Sequence, residues 1–145
     1  MNKALFILLV FLSTPLQAQF EEREGVFYIN GDAVKAIELS LALSAIDFGD
    51  VYNDSEVDSV VVDFTVNAEN TYDYTVEISN DDSTGVVQIS WTSSGGYTAD
   101  SLTYIDTGTG TYQAHEFYVD LDTGNMNGDL AATVTVMVAY NDIAQ

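Results

Sequence analysis

From Val34 onward the chain alternates apolar and polar residues, the two-residue period of strands with one buried face. In VKAIELSLAL (34–43), Ile37, Leu39, Leu41 and Leu43 alternate with Ala36, Glu38, Ser40 and Ala42. In SVVVDFTVN (59–67), Val60, Val62, Phe64 and Val66 oppose Val61, Asp63 and Thr65. Tyr72, Tyr74, Val76 and Ile78 alternate with Asp73, Thr75 and Glu77. Val87, Ile89 and Trp91 follow, then a weaker strand carrying Leu102 and Tyr104. His115, Phe117, Val119 and Leu121 share one face of YQAHEFYVDL. In the final segment Leu130, Ala132, Val134, Val136, Val138 and Tyr140 oppose Thr133, Thr135 and Met137.

Turn residues separate these segments at 52–58, 80–84, 93–96, 106–110 and 122–129. Their Gly, Asn and Asp supply the positive-φ and Asx-turn positions that short connections require. No segment after residue 18 has a helical period, and the one proline is Pro15. The pattern predicts an all-β antiparallel sandwich of about seven to nine strands. Within SLALSAIDFGDVYND (40–54), Ile46 and Phe48 are expected to fill core positions while Asp47 points outward. Gly49 then permits a bend into the next loop, which makes this stretch a structural corner rather than a binding loop.

The first residues are of another kind. Met1-Asn2-Lys3 is a short basic start, and ALFILLVFL (4–12) is an unbroken apolar run. Ser13-Thr14-Pro15 interrupts it, and Ala18 is a small residue suited to signal peptidase. Residues 1–18 are thus expected to be a cleaved signal peptide, the run being shorter than the roughly 20 residues that span a bilayer. The rival is an uncleaved anchor. With no Cys after Ala18 there is no lipoprotein route, and no membrane insertion is expected after cleavage. The protein is expected in the periplasm, on the cell surface or outside the cell. Residues 19–33 form an N-terminal arm, and 34–145 the sandwich domain.

Charge narrows the partners. The formal net charge is −20, and loss of Lys3 makes it −21, leaving Arg23 and Lys35 as the basic residues. Such a chain repels phosphate backbones and anionic bilayers, so nucleic acid is not a partner. Aromatic and β-branched residues are too plentiful for a disordered acidic tail. The acidity serves either solubility in a saline setting or cation capture. The absence of cysteine excludes disulfides and thiolate chemistry.

The best metal candidate is the turn DLDTGNMNGD (120–129), where Asp120, Asp122, Asn125, Asn127 and Asp129 offer oxygens for calcium. It departs from the EF-hand spacing, because Gly124 stands at a ligand position and no Glu closes the loop. Turn chemistry explains the same residues without a metal. His115 is the only histidine, and no nucleophile elbow accompanies it. A carboxylate pair for glycoside hydrolysis is expected by chance in so acidic a chain. Tyr72, Tyr74, Trp91, Tyr97, Tyr104 and Tyr118 offer either a sugar-stacking surface or ordinary strand packing. Trp91 is expected in the packing and Tyr97, beside Gly95-Gly96, at the surface. No catalytic set emerges, and an enzyme is not expected.

IDFG (46–49), VDFTVNAENTYDYTVEI (62–78) and GDLAATVTVMVAY (128–140) follow one another in order. This arrangement resembles a family of small exported bacterial β-sandwich domains with an LDFG-like strand and a C-terminal vtvtY strand. Those domains look related to fimbrial and spore-coat-U-type subunits. The resemblance implies an Ig-like or pilin-like sandwich with a structural or adhesive role in an extracellular filament or biofilm matrix. The alternative is a monomeric secreted module that binds carbohydrate or calcium. Val26, Phe27, Tyr28 and Ile29 are the apolar segment of the arm, followed by an Asn-Gly turn. They either pack on their own domain or pair with the edge strand of a neighbouring copy.

Overall fold

The computed structural model describes residues 33–141. Seven strands lie among them: β1 (Glu38–Leu41), β2 (Val60–Asn67), β3 (Asp73–Asn80), β4 (Val87–Ser90), β5 (Leu102–Thr107), β6 (Tyr112–Leu121) and β7 (Val134–Tyr140). One 3-10 turn, Thr123–Asn125, separates β6 from β7. All pairings are antiparallel, in a four-stranded sheet ordered β1-β2-β6-β4 and a three-stranded sheet ordered β5-β3-β7. The fold is the all-β sandwich that the alternation predicts. The expected signal peptide, most of the expected arm (including Val26, Phe27, Tyr28 and Ile29) and residues 142–145 lie outside the described residues.

The period of two converts directly into the core. Val62, Phe64 and Val66 of β2 point inward beside Phe117 and Val119 of β6, while Tyr74, Val76 and Ile78 point inward from β3. Ala68, Val86, Val87, Ile89 and Leu121 complete the buried hydrophobic set. Full burial of each such Val, Ile, Leu or Phe side chain is worth about 1.5–3 kcal/mol. Phe64 and Phe117 meet edge to face, their centroids 6.1 Å apart. No cysteine or described metal cluster supplements this burial.

Three expectations change. The first strand shortens to four residues, and Leu39, Leu41 and Leu43 are 37%, 46% and 42% exposed. β1 is the outermost strand of the four-stranded sheet, and the three-stranded sheet leaves its inward face uncovered. The last strand begins at Val134, so Leu130 and Ala132 precede it as irregular chain. Tyr97 is half-buried, not exposed, and its hydroxyl is buried with no hydrogen-bond partner. The cause is the neighbouring bridge. Thr98 exchanges two backbone bonds with Ile89, of 2.8 and 3.0 Å, folding the segment back onto the sheet.

The connection from β5 of one sheet to β6 of the other needs its glycine. Gly108 donates its N–H to the Tyr72 carbonyl at 2.8 Å, and its own carbonyl accepts from Thr71 at 2.9 Å. A Cβ at this position would overlap the Glu69 carbonyl oxygen.

Candidate functional site

The stretch 40–54 does more than turn a corner. Ile46 and Phe48 are half-buried against the core, as expected, and Asp47 is exposed. Asp47 Oδ1 accepts the Gly49 N–H at 2.8 Å, an Asx turn that holds Gly49 at φ 67°. The segment then forms one wall of a groove of about 910 Å³ between the two sheets. Leu41, Leu43 and Phe48 line this wall, and Leu130, Val134 and Val136 line the other. Core residues Val62, Phe117, Val119 and Leu121 also border the space. Asp47, Asp50 and Asp129 also line it, and its exposed surface is somewhat more polar than apolar although most lining side chains are apolar.

Topology makes this groove. Among the described residues β1 ends one sheet and β7 ends the other, so each has one long side of its backbone without a described strand partner in its own sheet. Strand edges of this kind are templates for pairing with a further strand. Beside them the inward faces carry Leu41 and Leu43 on one side and Val134 and Val136 on the other. The site thus combines main-chain donors and acceptors with apolar side-chain seats, the two elements of strand addition.

The loop that follows the groove wall is tied to the turn after β6. Thr123, in the 3-10 turn, is buried, and its hydroxyl donates to the Ser55 carbonyl at 2.5 Å. The Asp54 N–H donates back to the Thr123 carbonyl at 3.3 Å, with Asp54 held at φ 60°. This contact between the loop after 50 and the turn after β6 is invisible in either segment read alone.

The expected calcium residues are dispersed among local bonds. Asp120 is the penultimate residue of β6, and its Oδ1 accepts the Leu121 N–H at 2.8 Å. Asp122 accepts from the Asn125 side chain at 2.7 Å. Asn127 and Asp129 are exposed, and Asp129 borders the groove. Among the described residues no three Asp, Glu or His side chains converge on a metal-sized site.

A second polar centre sits at the other end of the core. His115 projects inward from β6 and stacks on Phe64 at 5.1 Å. Its Nε2 lies 3.0 Å from the Tyr74 hydroxyl and its Nδ1 2.5 Å from that of Tyr104. Tyr74 donates to Asp106 Oδ2 at 3.2 Å, since a carboxylate can only accept. Tyr74 must then accept from Nε2–H, and Tyr104 donates to Nδ1, which assigns the neutral Nε2–H tautomer. Burial lowers the His115 pKa from its ordinary value, and Asp106 partly opposes this. Burial likewise pushes the Tyr104 hydroxyl up to about 12 and raises that of Tyr74. The result is a proton-conserving tie between the sheets with no nucleophile in it.

The aromatic residues do not form one surface. Tyr74 is fully buried, Tyr72 meets Tyr140 edge to face at 6.1 Å, and Tyr118 bonds to exposed Glu116 at 2.9 Å. Trp91 is half-buried against the core, as expected, and meets Tyr104 at right angles, centroids 4.8 Å apart. The sequence matches no protein family, and no curated protein is similar to it.

Proposed function

We propose that the protein is an exported structural subunit of an extracellular filament or surface matrix. Its groove receives an extended apolar segment from a second copy. The observation that carries this reading is the groove itself, about 910 Å³ of space with leucine and valine side chains on both walls, flanked among the described residues by the edge strands β1 and β7. The resemblance of the motifs at 46–49, 62–78 and 128–140 to those of small exported β-sandwich domains related to fimbrial and spore-coat-U-type subunits supports it. So does the signal-like character of residues 1–18. The segment best suited in sequence is Val26-Phe27-Tyr28-Ile29, whose alternate side chains suit the leucine and valine seats. A contact of arm on groove joins different surfaces of the two copies, so it propagates into fibres unless the geometry closes a ring.

The test compares protein starting at Gln19 with protein lacking residues 19–32, by light scattering and electron microscopy. The longer form is expected to associate and the shorter to remain a folded monomer. Added peptide spanning the arm should cap the groove and halt assembly of the longer form. A longer form that stays monomeric at high concentration, with a truncated form that unfolds, would assign the arm to its own sandwich. A monomer that binds glycan would replace the filament reading with that of a carbohydrate-binding module.

A further inference from the structure

Between the 3-10 turn and β7 the chain runs irregularly from Met126 to Thr133, and Met126, Gly128, Asp129 and Leu130 line the groove. Asn127 lies exposed in this run, and Gly128 follows it at φ 99°, also exposed. A Cβ at Gly128 would meet no atom within 4 Å beyond its chain neighbours, so the peptide group after Asn127 is sterically open. Among the described residues the Gly128 N–H donates to no backbone carbonyl.

The pair joins a nucleophile to an electrophile. The covalent chain holds the Gly128 nitrogen where it can close a five-membered ring on Cγ of Asn127. Glycine favours this step, because no Cβ obstructs the approach and its backbone reaches conformations closed to other residues. When the peptide nitrogen gives its proton to hydroxide, the N–Cγ bond forms and the Cγ–Nδ2 bond breaks, releasing ammonia. Water then opens the succinimide at either carbonyl, leaving aspartate or isoaspartate. In sum one water is taken up and one ammonia released.

We infer that Asn127 is a site of self-modification, converting to aspartate and isoaspartate in the folded protein. The product carries a new carboxylate two residues before Asp129, which lines the groove. In the isoaspartate the main chain passes through the former side chain and gains one carbon between Met126 and Leu130. The reaction depends on this loop alone, not on what the groove receives. Asn125 is the internal comparison. It is also exposed, but the Met126 N–H after it donates to the Thr123 carbonyl at 3.2 Å, and its own amide donates to Asp122 at 2.7 Å. Asn30-Gly31 repeats the pair outside the described residues, so each site is read separately.

Protein starting at Gln19 is incubated at neutral to mildly alkaline pH, and its chymotryptic peptides are followed by mass spectrometry, with fragment spectra placing each change. The mass gain of an amide becoming an acid is expected at Asn127 at least about tenfold faster than at Asn125. Its rate should rise roughly tenfold per pH unit, since the nucleophile is the deprotonated nitrogen. Guanidinium-unfolded protein should react within about threefold of the native rate, because the fold does not shield the pair. Asn127→Gln must close a larger ring and should react at least about tenfold more slowly, with native circular dichroism. A native rate at Asn127 more than about tenfold below the unfolded one, or equal to that of Asn125, would overturn the proposal. So would conversion confined to Asn30. Product containing aspartate and no isoaspartate would show direct hydrolysis in place of ring closure and would overturn it too.

Discussion

His115 shows how one side chain can serve packing and polarity together. It stacks on Phe64, bonds two tyrosines from the opposite sheet and remains neutral because burial disfavours its charge. Its folded pKa lies below the ordinary 6.5, so the unfolded chain takes up the proton first on acidification. Stability is therefore full above that value and declines as pH falls below it, until the native imidazole also protonates. As the chain's only histidine, it should account for most of the loss of melting temperature between about pH 7 and 5, above the range where Glu38 and Asp82 begin to contribute. His115→Gln is expected to be less stable at neutral pH but flat across that window. A wild-type melting temperature independent of pH there would contradict the assignment. Gly108 makes the opposite demand, for the absence of a side chain. Gly108→Ala should cost about 1–3 kcal/mol in denaturant unfolding, because the obstacle is the Glu69 backbone and cannot rotate away.

Elements here are held by ties that cross long stretches of sequence. Thr123 anchors the 52–55 loop, which follows the groove wall, to the turn after β6. Thr123→Val keeps the shape and removes the bond to the Ser55 carbonyl, at an expected cost of about 1 kcal/mol. Hydrogen exchange or proteolysis localised to residues 52–55 should accelerate in this variant, while the amides of β2 and β6 stay protected. Uniform acceleration would mean that the tie supports the whole sandwich. β1 is the weakest element by the same logic. It has four residues, pairs on one side with β2 and presents its leucines to the groove.

At the scale of the described residues, the sandwich is closed by thirteen buried hydrophobic residues on its inside and has a groove along one flank. Substituting Leu41→Lys and Leu43→Lys tests what that opening is for. Both side chains are already partly in water, so monomer stability should change by no more than about 0.5 kcal/mol per site. Self-association, however, should be abolished, because a charge is placed where an incoming apolar strand would sit. Unchanged assembly by this double variant would show that copies meet elsewhere. Net charge works against any such contact, so salt should promote assembly by screening. At matched ionic strength, calcium and sodium are expected to raise the melting temperature equally. A larger calcium shift would instead restore Asp120, Asp122, Asn125, Asn127 and Asp129 as ligands.

The strands were legible in the sequence because a period of two reports directly on which side of a sheet each residue faces. Val62, Phe64 and Val66, or Phe117, Val119 and Leu121, could be assigned to the core without knowing their partners. The same rule misassigned Leu39, Leu41 and Leu43, since alternation shows which face a side chain takes and not whether anything covers it. Coverage depends on strand order, and the order β1-β2-β6-β4 against β5-β3-β7 is set by pairings between distant segments. The groove, the Thr123 tie and the His115 centre share that origin. Each joins side chains or backbone groups from elements far apart in the chain, brought together by long-range strand pairing. Alternation along the chain determined the sandwich, and only the tertiary structure decided where it stays open.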